Sequence, residues 1–518
     1  MSRPRSFPTV LPAIVLAGLV CSASRLVAQE KKEASHVERF ASPRAKLQRT
    51  ERVATRKLTR NPRDARALGE RGLARLRLGE AGAGIEDLRR AAALDPKSAD
   101  ARADLAYALW ITGDMRDALG TARSAVELGP NHAAAHYYLA RLLVETGARP
   151  NEALENFQRA VDLNPLETGY RYDLFNAYLQ QGDLPHAAAE LRLLRLVLPP
   201  DNAQLLYAQG LFEANVGDLA IATADFRKTL EKNPRLNPAR LDLGVALSKQ
   251  GAWKEAEEVL SALSVDMPQS YPGAYFHALA LQNLHRAAEA EQETRRALTL
   301  EPDSAEARTL LGIVLSEKRD FTGAIAVLEE AIKLDPSSFD AQFYVGRATF
   351  AQNDLQRARD AFRAASLLHP GDPEAHFFLA TALEGLGDTE GAKAEYSALT
   401  VSFPQDARGY IGLGNLLAKE GRLEPAAAAL GRARELDPQN FEAILDFGRI
   451  LIRQGKFNEA IDALRGALER APESADAHYQ LGLALRRAGR EEEAGAQFVI
   501  VDRLNKLYRT GERPTPER

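Results

Sequence analysis

Thirteen prolines divide this chain at a nearly constant interval. Pro62, Pro96, Pro130, Pro165, Pro199, Pro234, Pro268, Pro302, Pro336, Pro370, Pro404, Pro438 and Pro472 stand 34 residues apart in ten of twelve intervals and 35 apart in the other two. A period of that length holds two short helices and two turns. No such unit can bury an apolar face alone, so neighbours must stack. The two extra residues fall in "GARPNEA", between Gly147 and Ala153, and at the doubled Pro199-Pro200.

With the proline set at position 32, other columns align. Position 20 is alanine in twelve of thirteen units, with Gly84 the exception, and position 15 is glycine in ten. Position 8 is glycine in eight units, alanine in four and Phe175 once. Positions 4, 7, 8 and 11 form one stripe of a first helix, and 20, 24 and 27 one stripe of a second. Small residues at 8 and 20 let the two helices approach. Position 15 ends the first helix, where the left-handed conformation suits glycine. The composition agrees: 45% hydrophobic and 27% charged residues suit an ordered chain, and the alanine, leucine, glutamate and arginine that dominate favour helix.

The unit resembles the tetratricopeptide repeat family, and Leu311, Gly312, Leu315, Ala324, Leu328, Ala331 and Pro336 carry the likeness in "FTGAIAVLEEAIKLDPSS" and the helix before it. Thirteen units fill residues 65–508. The resemblance implies an all-α, right-handed superhelical solenoid of helix-turn-helix repeats, with a concave groove lined by the first helices.

The flanks differ. Residues 1–28 read as a secretory signal: Arg3 and Arg5 precede an apolar stretch at residues 10–20, too short to span a bilayer, and small residues follow. Its removal takes three arginines and no acid, changing the net charge from −4 to −7. Cys21 is the one cysteine, so the mature chain would have no thiol; a lipid anchor there is disfavoured by the bulky Val20. Residues 29–64 read as a polar linker and a capping helix over 45–60, and 509–518 as a loose tail. The expected location is outside the cytoplasm, periplasmic or extracellular.

No catalytic constellation emerges, and no cofactor or metal is expected. His132 and His136 stand four apart, but His132 lies in a turn and no acid completes a metal motif. "GLGNLL" at Gly412 lacks the third glycine and the preceding strand of a dinucleotide loop. The balance of 67 basic against 71 acidic side chains gives no bulk field for nucleic acid.

Function must then sit at positions the repeat leaves variable. In the groove implied by the resemblance, position 5 is aromatic in seven units, Tyr137, Tyr172, Tyr207, Tyr275, Phe343, Phe377 and Tyr479. Tyr138, Phe276, Tyr344 and Phe378 stand beside four of them at position 6. An exposed row of this kind would suit extended peptides or sugar rings. Arg408, Lys419, Arg449, Arg453, Arg486 and Arg487 predict a basic end suited to acidic segments. The family's clamp for chaperone C-termini is absent: Asn176 and Asn415 match one of its positions, but Tyr172 and Ile411 replace its lysine. His285, Arg319 and Asn353 replace the position-15 glycine in three consecutive units, and a break in regularity is expected near residues 148–200. The reading is a non-catalytic scaffold that binds a protein or peptide partner or assembles an envelope complex. The alternative is a periplasmic component of polysaccharide export that contacts glycan, and an enzyme is a distant third.

Overall fold

The computed structural model describes residues 44–147 and 149–510. The expected export signal, Cys21, residues 29–43 and the tail from residue 511 lie outside the described residues. Among those described there are 27 helices and no strand. The helix Arg44–Arg60 comes first and thirteen helix pairs follow it. The described residues form two compact units that divide after Pro302, the first with the opening helix and the first seven repeats, the second with the last six.

The repeat that opens the second compact unit shows how the sequence writes each pair. Ser304 accepts the Ala307 N–H at 3.0 Å and starts the first helix, Ala305–Glu317. Asp320 accepts the Gly323 N–H at 3.0 Å and starts the second, Phe321–Leu334. The Asp335 N–H returns to the Ala331 carbonyl at 2.8 Å, Pro336 turns the chain, and Ser338 caps the next helix through Ala341 at 3.3 Å. The stretch "LDPSS", whose proline recurs at the other repeat boundaries, is thus a stop, a turn and a start.

Between the helices of a pair, position 24 packs over position 8. A Cβ added to Gly312 would lie 2.3 Å from the Leu328 side chain, and one added to Gly346 would lie 2.7 Å from Phe362. Ala324 at position 20 is fully buried alongside. The space freed by the small column is thus filled by a side chain of the partner helix. In the first unit, where both columns are glycine, the backbones themselves close up: a Cβ on Gly84 would stand 2.8 Å from the Gly72 carbonyl oxygen.

In several units a polar bracket at position 4 ties the turn to its repeat. His136, His376 and His478 each place Nε2 against the carbonyl of the preceding repeat proline, Pro130, Pro370 and Pro472, at 3.1, 3.3 and 2.9 Å. Their Nδ1 atoms meet position 23 of the same unit, Asn156, Glu395 and Gln497, at 2.7 to 2.8 Å. Arg171 does the same with Pro165 and Glu190. These three histidines share one repeat position.

The extra residue near 148 is taken up in the turn, where Arg149 adopts φ 53° before the helix Pro150–Leu163. Phe175 fills its position-8 site fully buried. The division into compact units falls after Pro302. The first of them includes the capping helix, which buries Ala54 and seats Leu58 against Ala67, Leu68 and Ala91. At the other end Ala494 and Leu504 are buried, Phe498 is half-buried, and Val499 is exposed.

Two substitutions test this packing. Gly312→Val should lower the denaturation midpoint of the second compact unit by an amount equivalent to roughly 2 kcal/mol, since the added side chain must displace Leu328. His285, Arg319 and Asn353 hold φ of 58°, 64° and 62° where other units have glycine. Arg319→Gly should stabilise by about 1 kcal/mol, read as a raised midpoint in the same assay.

Candidate functional site

The first helices present positions 5, 6, 9, 12 and 13 on one face, and the structure sorts the expected aromatic row there into two kinds. Tyr137, Tyr172, Tyr207, Tyr275 and Phe343 are buried, Phe377 is half-buried, and Tyr479 is 45% exposed. The expected exposed ladder is corrected: five of the seven side chains pack between neighbouring helices. Three of them brace adjacent repeats. The Tyr137 hydroxyl donates to Asp173 at 2.6 Å, where Arg141 also donates at 3.1 Å, and the Tyr207 hydroxyl donates to Asp242 at 2.5 Å. Phe343 packs edge-on against Phe378 of the next unit at 5.8 Å.

Position 6 also differs from expectation, because it meets the preceding unit. Phe378 stacks on Phe362 at 5.3 Å, and Tyr138 stacks on Tyr107 at 5.3 Å. Phe276 is buried. The Arg347 guanidinium lies 5.5 to 6.0 Å from the rings of Phe343, Tyr344 and Phe378. Burial pushes the Tyr344 phenol up to about 12, with Arg347 opposing the rise.

The expected basic end is also corrected, since half of its cations are matched. Arg408 pairs with Asp406 at 2.7 Å and Glu374 at 3.5 Å, and its guanidinium lies 5.4 Å from the Phe377 ring. Lys419 pairs with Glu384 at 2.5 Å, and Arg449 pairs with Asp446 at 2.7 Å and with Asp476. Arg453 donates to the Ala418 carbonyl at 2.9 Å, Arg486 lies over Phe498 at 5.5 Å, and Arg487 is exposed. The first-helix ends therefore carry interleaved signs rather than a positive field.

Beside Lys419, the one of these cations that lines it, the structure has a cavity of about 450 Å³ spanning three consecutive first helices. Its floor is Phe377, Ile411, Gly412 and the ring of Tyr396. Gly412 stands at position 6, the place Phe378 fills one unit earlier. A Cβ there would lie 2.4 Å from the Tyr396 ring, so the glycine both admits that ring and leaves the site open above it. The rim is polar: Thr381, Glu384, Asn415, Lys419 and Asp446. Asn415 donates to Asp446 at 3.1 Å, and the Tyr396 hydroxyl lies 3.3 Å from both Thr381 and Glu384. Burial pushes the Tyr396 phenol up to about 12; Thr381 opposes this and Glu384 adds to it. This surface can hold an extended chain through hydrogen bonds while an apolar side chain enters the floor. The signal available in the sequence was the glycine at position 6 in "GLGNLL".

His132 and His136 do not share a ligand. His132 caps its helix through Ala135 and contacts Asp100 at 2.7 Å, while His136 belongs to a position-4 bracket. Among the described residues no three His, Cys, Asp or Glu side chains converge as a metal site, and no helix is long and apolar enough to cross a membrane.

Two related models of one repeat match nearly all of this fold. Described as tetratricopeptide repeat, one covers residues 44–99, 69–131, 103–168, 147–203, 207–274, 276–338, 311–373 and 445–499, and the other 349–416 and 417–465. The chain belongs to the tetratricopeptide repeat family. It is similar to the protein O-mannosyl-transferase TMTC3 of Homo sapiens, 25% identical over 216 residues, which are 40% of this chain and 23% of that protein. This tetratricopeptide repeat chain thus matches less than a quarter of that relative's length. Among solved structures it is similar to the APC/C hetero-tetramer Cut9-Hcn1, at 14% identity and a TM-score of 0.47, covering 90% of this chain and 99% of that one. It is also similar to YrrB, a TPR protein with an unusual peptide-binding site, at 21% identity and a TM-score of 0.33, covering 36% of this chain and 96% of that one.

One groove carboxyl makes the fold sensitive to pH. Burial pushes Asp340 up to about 6, with His369 opposing and Asp372 adding. The folded state then holds its proton more tightly than the unfolded chain, so stability falls as pH rises from about 4 through 6. Asp340→Asn should stabilise at pH 7.5 by about 1–3 kcal/mol and make no difference near pH 3.5, read by denaturant titrations at both pH values.

Proposed function

We propose that this chain is a non-catalytic interaction scaffold that receives an extended peptide segment of a protein partner on the first helices of its tenth to twelfth repeats. The observation that carries this reading is the cavity over Gly412, which spans three helices at positions the repeat leaves free. Its apolar floor can take one side chain, and Thr381, Asn415 and Asp446 can meet peptide groups on either side. The proposed setting is outside the cytoplasm, on the strength of the signal-like residues 1–28, with an envelope assembly as the partner class. Glycan binding, as in a polysaccharide-export component, has less support, because only Tyr479 of the seven position-5 aromatics is exposed.

A peptide array and a glycan array, probed with the full chain and with Thr381→Trp, test the reading. The substitution fills the cavity from its rim. Peptide binding should fall at least tenfold in the variant, while its thermal midpoint stays within about 2 °C, as expected for a change away from the core. Glycan binding without peptide binding, or peptide binding indifferent to the substitution, would refute it.

A further inference from the structure

The net charge of −4 hides a strong asymmetry. Residues 44–77 hold twelve arginines and lysines against three acids, a local charge of +9. The helix Arg44–Arg60 contributes seven of those cations and one acid, Glu51. At 100° per residue, Ala54 and Leu58 lie on its inward side, where both are buried, together with Glu51, which is held by Arg75 at 3.1 Å. Arg49, Arg56 and Arg60 fall within about 40° of one another on the opposite side, with Lys46 and Arg52 flanking them. All five are exposed, as is Val53 in the same stripe.

Little neutralises this stripe. Lys57 at its edge pairs with Glu70 at 2.7 Å, and Arg52 donates to the Gln48 carbonyl within its own helix. Among the described residues Arg44, Lys46, Arg49, Arg56 and Arg60 have no carboxylate partner within salt-bridge distance. Packing therefore uses the apolar face of this helix, and like charges crowd the other at a cost the fold itself does not require.

We propose that this face docks on an anionic lipid surface. The stripe is straight and one-sided, about 16 Å from Arg49 to Arg60 at 1.5 Å per residue. Long cationic side chains on one flat side suit a plane of laterally mobile headgroups. A nucleic-acid strand is the less suitable occupant. The helix has no aromatic side chain on which a base could stack. The exposed Val53, set among the arginines, can enter the headgroup region, where nucleic acid would offer it only phosphates.

Co-sedimentation of the full chain with vesicles tests this, using phosphatidylcholine alone and a 7:3 mixture with phosphatidylglycerol. The first vesicle reports any contribution from the apolar stretch at residues 10–20. Binding to the anionic vesicles should be at least tenfold stronger and should weaken sharply between 0.1 and 0.5 M NaCl. The variant R49E/R56E/R60E should lose at least tenfold on anionic vesicles only, and R49K/R56K/R60K should keep its binding. These side chains are exposed, so unchanged circular dichroism is expected of both variants. Equal binding to the two vesicles, indifference to charge reversal, or tighter binding to a 20-base-pair DNA duplex or a single-stranded RNA at the same salt would each overturn the proposal.

Discussion

The contact on which this architecture depends is that of a position-24 side chain with a position-8 residue that has almost no side chain of its own. Leu328 over Gly312 and Phe362 over Gly346 fix how near the two helices of a pair lie. Ala324 at position 20 is fully buried in the same unit. A larger side chain at either place would push the pair apart and shift the stripe offered to the next unit. Because each unit is both platform and load, a local displacement would pass along the stack. That is a physical reason for the columns at 8 and 20 to be nearly uniform.

The candidate site grows from the same geometry. Position 6 of one unit reaches the position-24 side chain of the unit before it, so what stands there decides whether the first-helix face is filled or open. Phe378 closes the place by stacking on Phe362, whereas Gly412 leaves it to the Tyr396 ring and a cavity remains above. The polar rim is joined across repeats, Lys419 to Glu384 and Asn415 to Asp446, by contacts that link residues about one period apart. Exposed pairs of this kind contribute at most about 1 kcal/mol each, so a ligand can exchange them at small cost.

Polar side chains in the stack serve two separate ends. The position-4 brackets of His136, Arg171, His376 and His478 satisfy the carbonyls of the proline turns, which no helix can reach. The Asp173 hub, with Tyr137 and Arg141, joins two first helices through hydrogen bonds inside the stack. The arginines of the helix Arg44–Arg60 belong to neither class, since the packing of that helix is complete without them.

The fold was legible in the sequence because it rests on residue spacing and residue size. Proline spacing, small columns and the glycine at position 15 report local backbone and close contact directly, and even His285, Arg319 and Asn353 take the conformation that their column demands. The site was legible only in part. The first-helix positions were named, but the aromatic row and the basic end were read as exposed. Helical periodicity places a residue on a face of its own helix; it does not say that the next repeat covers Tyr137 or Phe276, or that Glu384 and Asp476 of neighbouring repeats meet Lys419 and Arg449. The sequence by itself determined the repeat, its length and its helix pairs, since those depend on neighbours within one unit. Only the tertiary structure decided which variable side chains stay open to a partner, because their burial and charge balance are set by residues one full repeat away.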